Sequence, residues 1–295
     1  MPESHHIPVL LDEVITGLQI KPDGVYVDGT FGYGGHSFAI ASRLKKGKVI
    51  GFEVDKNVYE HTKHSSKLGK NVFLYNRHFV DAFESFLPYS IDQVDGILFD
   101  LGTNVVQIKE SGRGFSFVGD EPLDMRLDLS QRTTAADIVN SYTRSQLEEI
   151  LQKVDESFYK QIAKSIVETR AKKKILTSQQ LVEVVERVKF RRGKIHPATL
   201  TFMALRIETN DELGVIEKVL PLAFERLKPG GRLAVISFHS GEDTIVKHFF
   251  KEKKQEREAI LINKKVIIAT REEERRNPPS RSAKLRILEK TDTSI

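Results

Sequence analysis

The stretch Asp28-Gly29-Thr30-Phe31-Gly32-Tyr33-Gly34-Gly35-His36 constrains the fold of this chain more than any other. An apolar run, Val25-Tyr26-Val27, leads into it and reads as a short buried strand. Ser37 is placed to cap a helix running on through Phe38, Ile40, Ala41 and Leu44. Strand, glycine turn and helix in that order aim backbone N–H groups and the positive end of a helix at one spot. Four glycines, at 29, 32, 34 and 35, exceed what a tight turn needs, and they let a ligand lie against the main chain.

Spacing narrows the ligand. The dinucleotide fingerprint G-x-G-x-x-G fails, because Gly32-x-Gly34-x-x is followed by Ser37, and G-x-x-x-x-G-K-[ST] occurs nowhere. What remains is an acidic strand end, Asp28, entering a glycine loop. The next strand, Lys48 to Val54, ends with Glu53 and Asp55. Glu53 stands 21 residues after Gly32, about where a carboxylate accepts both ribose hydroxyls of an adenosine. The pattern resembles the nucleoside site of a class I S-adenosylmethionine (SAM) methyltransferase.

The rest of the composition removes other classes. In 295 residues there is no cysteine, so disulfides, thiolate metal sites and cysteine nucleophiles are excluded. No His/Asp/Glu spacing reads as a metal site. No apolar run approaches the ~20 residues of a membrane span, and MPESHHIPVL has neither a basic nor an apolar leader region, so a cytoplasmic protein is expected. The net charge of +5 is unevenly spread. Arg187, Lys189, Arg191, Arg192 and Lys194 crowd one stretch, and Lys172, Lys173 and Lys174 are consecutive. Such runs are either a solvated face or a phosphate-contacting surface.

Strands read at Val25–Val27, Lys48–Val54, Val72–Tyr75 and Asp95–Phe99 alternate with helical segments, which predicts a mostly parallel sheet. Ligands then sit at the carboxyl ends of its strands, where Asp28, Glu53, Phe79 and Asp100 fall. From 106 to about 200 no strand is evident. Helices are expected there, one of them opened by a capping box from Ser145 to Glu148. The sheet resumes after a turn at Pro229-Gly230-Gly231 with Leu233 to Phe238. Two last strands are expected near 259–268 and 283–288, and the charge run Arg271 to Arg276 reads as a solvated loop. The expected fold is α/β: a Rossmann-like, mostly parallel seven-stranded sheet with an inserted all-α domain. Residues 1–105 and 206–295 would form the discontinuous sheet domain and 106–205 the insert.

Beyond these patterns, HIPVLLDEV (6–14), DGTFGYGGH (28–36), Asp100-Leu101-Gly102 with Gln107, RGFSF (113–117), PLDMRLD (122–128), TAADIVN (134–140), HPATLTFMALRI (196–207), SFHS (237–240) and RSAKLR (281–286) span nearly the whole chain. Together they resemble the ribosomal RNA small subunit methyltransferase H family, which methylates N4 of a cytidine in the decoding region of 16S rRNA. The resemblance implies SAM as cofactor, held by Gly34, Gly35, His36, Glu53, Phe79, Asp100 and Gln107. It implies small-subunit rRNA or the 30S subunit as partner, no membrane and no stable protein partner, with a homodimer left open. Asp100 is the expected group to position the acceptor amine. Arg113, Phe115, Asp124, Arg126, Arg191, Arg192, His196 and His239 are the expected substrate side. The sequence departs from the family pattern at Glu53, where Asp is typical, and at Asn104, Val105, Met203, Gly241 and Thr244. Three other readings stay open: an NAD(P) oxidoreductase, which the glycine spacing disfavours; a methyltransferase acting on DNA or protein amines; and an RNA-binding assembly factor that keeps SAM with weak or altered activity.

Overall fold

The computed structural model describes residues 7–85, 91–102, 111–190 and 196–292. Its contacts divide the chain into two units, Met1–Gly102 with Gly214–Ile295, and Thr103–Leu213.

The first unit is built on short runs rich in β-branched and aromatic residues. β1 (Val25–Asp28), β2 (Lys48–Glu53), β3 (Val72–Asn76), β4 (Val94–Asp100) and β5 (Leu227–Ser237) pair in parallel in the order β3-β2-β1-β4-β5. Helices cover both faces, which is why β4 is apolar without alternation. Ile97 and Phe99 pack toward α10 (Glu212–Glu225) and α11 (Ser240–Gln255), while Leu98 packs toward α1 (Leu11–Leu18) and α2 (Gly35–Ala41). α3 (Lys56–Lys63) and α4 (Phe79–Ser85) link the early strands.

At the far edge β8 (Lys284–Lys290) runs antiparallel to β5, and β6 (Ala259–Leu261) and β7 (Ile267–Ile268) both pair with β8. The sheet therefore has eight strands rather than the seven expected. The single run read at 259–268 is broken by Asn263. Its amide nitrogen donates to the carbonyls of Lys265 and Leu285, and its amide oxygen accepts from the Ile287 N–H, which holds a turn where the strand would have continued.

Three local expectations are also revised. Ser37 does not cap α2; Gly34, at φ +79°, is the capping position, and Ser37 lies inside the helix. Pro229-Gly230-Gly231 does not precede β5 but lies within it, absorbed by a register shift between Val94 and Gly96. The charge run is a helix, α12 (Arg271–Arg276), capped by Thr270. It is ordered by long-range bonds: Glu273 accepts from the Leu10 N–H at 2.8 Å, and Asn277 donates to the Ile7 carbonyl at 2.9 Å.

The second unit contains α5 (Ala135–Ser141), α6 (Arg144–Gln152), α7 (Tyr159–Arg170), α8 (Ser178–Glu186) and α9 (Thr199–Thr209). Among its described residues the only β-pairing is a single Pro122–Thr177 bridge. Leu147, Ile150, Leu151, Ile162, Ile166, Leu181 and Val185 recur at helical spacing and fill its core. Thr143, not Ser145, opens α6: its hydroxyl accepts from the Gln146 N–H while Gln146 reaches back to the Thr143 N–H. Among the described residues no helix is long and apolar enough to cross a membrane.

Candidate active site

The glycine loop is held by its own strand end. Asp28 accepts from the Thr30 N–H at 3.1 Å and from the Ser37 hydroxyl at 2.6 Å. Burial pushes its carboxyl up, and the Ser37 bond opposes that shift. Gly34 cannot be replaced freely: its φ is left-handed, and a Cβ there would lie 2.6 Å from the Phe38 ring. A Cβ on Gly35 would lie 3.1 Å from Pro8.

His36, in the first turn of α2, points inward at 6% exposure. Its Nε2 lies 2.9 Å from the Val9 carbonyl, which can only accept, so the proton resides on Nε2. Burial lowers its pKa and keeps the ring neutral. The free lone pair on Nδ1 then faces the Asp100 carboxyl, 3.7 Å from Oδ2. The Val9 carbonyl is itself placed by the Leu10 and Ile7 bonds to the α12 region, which gives the charge run a role at the site.

Asp100 ends β4. Its N–H donates to the Thr30 hydroxyl at 2.6 Å, fixing the strand end against the glycine loop. Its Oδ1 is buried and has no hydrogen-bond partner among the described residues. Burial pushes the carboxyl up to about 7; the Gly102 N–H opposes this and the Glu242 charge adds to it. Among the described residues an acceptor at the end of β4, beside a neutral imidazole and the glycine loop, is thus left with hydrogen-bonding capacity unused.

Glu53 ends β2 at 7% exposure. Oε2 accepts from the Gly32 N–H at 3.0 Å and Oε1 from the Asp55 N–H at 2.7 Å. Each carboxylate oxygen has a second lone pair, so capacity for two hydroxyl donors remains. Burial raises its pKa to about 7, against those two N–H bonds and with the nearby Asp55 and Asp28 charges. Phe79, half-buried at the start of α4, stacks on His78 at 4.6 Å and packs on Phe99 at 5.3 Å, and its Cβ lies 3.4 Å from where a Gly29 Cβ would be. Gly34, Gly35, His36 and Asp100 thus stand together, Glu53 is tied to the same loop through Gly32, and Phe79 flanks it beside Gly29. Gln107, Arg191 and Arg192 lie outside the described residues.

The expected substrate-side residues have structural partners. Arg113 donates to the Arg126 carbonyl at 2.7 Å. Asp124 and Arg126 form a two-pronged ion pair, 2.7 Å in each prong, which pulls the Asp124 carboxyl below the usual range. Phe115 is buried in the helical core. His196 stacks on Phe117 at 4.4 Å. His239 caps α11, its Nδ1 accepting from the Glu242 N–H. Two further residues at the site escaped the sequence reading. Thr30 carried no signal beyond its place in the glycine loop. Glu242 is buried and accepts from the Phe238 and His239 N–H groups; in the sequence it stands just after the SFHS stretch without being marked as a site residue.

The sheet is thus mostly parallel, with β8 antiparallel beside β5, and glycine, carboxylate and aromatic groups lie along its carboxyl edge. A family model described as the MraW methylase family matches residues 3–291. Proteins named ribosomal RNA small subunit methyltransferase H are 45% identical in Fervidobacterium nodosum over 293 residues (97% of each chain) and 45% identical in Elusimicrobium minutum over 288 residues (97% of this chain, 98% of that one). The namesake from Clostridioides difficile is 44% identical over 255 residues, 84% of this chain and 82% of its own. The chain belongs to the MraW methylase family.

Proposed function

We propose that this protein transfers a methyl group from SAM to the N4 amine of a cytidine in small-subunit ribosomal RNA, acting in the cytoplasm. One observation carries the reading: in a member of this family, the acceptor Oδ1 of Asp100 is buried without a hydrogen-bond partner among the described residues, at the end of β4 beside the glycine loop. The residues fit the cofactor. The left-handed turn at Gly34 would let the loop backbone meet the methionine end, the Nδ1 lone pair of His36 suits an ammonium there, and Glu53 has lone pairs for a ribose diol. Phe79 offers an aromatic face for the adenine.

Bound SAM would supply a methyl on a cationic sulfonium, with a neutral thioether as the group to leave when the amine nitrogen takes the methyl. The chain's task is alignment and desolvation. A cytosine amine is a weak nucleophile because its lone pair is delocalised into the ring. Asp100 Oδ1 accepts one amine hydrogen, turns the lone pair out of conjugation, and takes the proton that the methylated nitrogen sheds. The target base must be unstacked to reach this edge, so a flexible or single-stranded region of RNA is the substrate.

In the helical unit, α7 and α8 border a groove of about 630 Å³ rimmed by Lys164, Lys172, Lys173, Lys174 and Arg187 against Glu168 and Glu183. The three consecutive lysines are exposed, and the excess of cations suits an RNA backbone. Changing Lys172, Lys173 and Lys174 together to glutamine is expected to weaken RNA binding about tenfold at moderate salt and to reduce the slope of log affinity against log salt by about 2. Fluorescence anisotropy across a salt series checks this; an unchanged slope returns the run to a solvated surface.

Two experiments test the reading as a whole. Calorimetry should show SAM binding and no binding of NADH. Nucleoside mass spectrometry of rRNA from a deletion strain should show one N4-methylated cytidine missing. A protein that binds SAM and RNA but transfers no methyl to small-subunit RNA is an assembly factor instead, and one that methylates only DNA or protein amines has another substrate.

A further inference from the structure

We infer that His239 donates a hydrogen bond to N3 of the target cytosine, so that it and Asp100 together grip the base along its N3–C4–N4 edge. The inference rests on the methyl-transfer reading above. β4 and β5 are neighbours in register, Asp100 opposite Ile236, and His239 follows three residues later at the same carboxyl edge. Leu101 bonds to the Ile236 carbonyl, and a Cβ on Gly102 would meet the Phe238 ring at 2.5 Å, so the two strand exits continue side by side. Glu242, in the first turn of α11, is close enough to add to the upward shift at Asp100 and also bonds the His239 N–H.

The His239 ring has one nitrogen committed. Nδ1 accepts from the Glu242 N–H at 3.4 Å, which requires a lone pair there and leaves the proton on Nε2. That Nε2 is buried, on a side chain 10% exposed, and makes no hydrogen bond among the described residues. Glu242 Oε1 is 3.1 Å away, a contact that does not make a hydrogen bond. Among the described residues, a buried donor without a hydrogen-bond partner, Nε2–H, therefore stands on the exit of β5, and a buried acceptor without one, Asp100 Oδ1, on the exit of the neighbouring β4. Buried polar groups in native proteins are nearly always satisfied, and a ligand is one way to satisfy them. The edge that matches an acceptor and a donor side by side is an amine next to an unprotonated ring nitrogen. Cytosine presents this at N4 and N3. Uracil presents the reverse, a carbonyl oxygen next to an N–H. Adenine carries the same pair at N6 and N1, so the grip rejects uracil and selects an amine beside an unprotonated ring nitrogen.

The cap and the donor can be separated by substitution. In H239N the amide oxygen takes the place of Nδ1, and asparagine is a good helix cap, but the Nε2 donor is gone. In H239Q an amide nitrogen comes near the Nε2 position and the cap is weakened. H239N is expected to melt close to the parent and bind SAM with unchanged affinity, while kcat/KM for RNA falls about thirtyfold. H239Q should melt lower yet recover most of that rate. RNA with 3-deazacytidine at the methylated position replaces N3 by C–H. It should bind the S-adenosylhomocysteine-loaded parent more weakly than normal RNA, and in turnover should lose about thirtyfold with the parent and nothing further with H239N. Parent-like turnover by H239N, or an equal 3-deazacytidine loss in parent and variant, overturns the inference. A parent protein that methylates no cytidine overturns the reading beneath it.

Discussion

Replacing Asp100 with asparagine is expected to slow methyl transfer at saturating SAM about a hundredfold, and replacing it with alanine about a thousandfold, losses far larger than the accompanying change in SAM affinity. The two values differ for a structural reason. In D100N the amide nitrogen can turn toward the Nδ1 lone pair of His36, 3.7 Å from the present Oδ2, leaving a carbonyl oxygen where Oδ1 now stands. That oxygen still accepts an amine hydrogen, but without charge and without the ability to take the proton released. Alanine removes both functions. The same reasoning sets a pH dependence. The Asp100 carboxyl is pushed up to about 7 by burial and by Glu242; among the described residues Asp28 and the buried, neutral His36 also lie near it, and His239 stands on the neighbouring strand exit. Below that pH it is protonated, so the rate at limiting substrate should rise with pH through 7 and level off above it. In D100N the part of that rise owed to Asp100 should vanish. Full turnover by D100N with unchanged cofactor affinity would remove Asp100 from the reaction.

What could be read from the sequence is what local chemistry sets. Val25–Val27, Lys48–Val54 and Asp95–Phe99 read as short, largely apolar runs and so as buried strands, and their carboxyl ends were visible before any fold was known. What stayed hidden depends on partners far along the chain. Ser37 sits where a cap would be, but Asp28 claims its hydroxyl from across the loop, and Gly34 takes the capping position. Arg271–Arg276 is a helix because Thr270 caps it and Leu10 bonds Glu273, 263 residues away in sequence. Asn263 breaks the last antiparallel run through bonds to Leu285 and Ile287 that no local pattern announces. At the site, carboxylates at strand ends were legible as types in places. Which oxygen is left unpaired, and which histidine nitrogen bears the proton, follow only from the neighbours.

Glu53 governs the other large effect, on cofactor affinity. In the folded protein its pKa rises from 4.5 to about 7, because burial and the charges of Asp55 and Asp28 outweigh the N–H bonds from Asp55 and Gly32. The folded state therefore holds a proton that the unfolded chain has lost between those values. Its contribution to stability is complete below about 4.5 and disappears as pH rises through 7, amounting to on the order of 3 kcal/mol. Binding works the opposite way. A ribose diol donates two hydrogen bonds best to an ionised carboxylate, so SAM should bind about tenfold more tightly at pH 8 than at pH 6, releasing protons as it does. Calorimetry in phosphate and in Tris measures that release as a difference in apparent enthalpy. E53Q should bind SAM about a hundredfold more weakly at pH 8 and show less proton release, since an amide accepts on one side only. It should also melt lower, because the amide nitrogen must face either the Gly32 or the Asp55 N–H. E53D, which shortens the side chain but keeps both acceptors, should retain the pH dependence while losing the bond to Gly32. Affinity for SAM that is flat from pH 6 to 8 in the parent, or E53Q binding as tightly as the parent, would take the ribose away from Glu53.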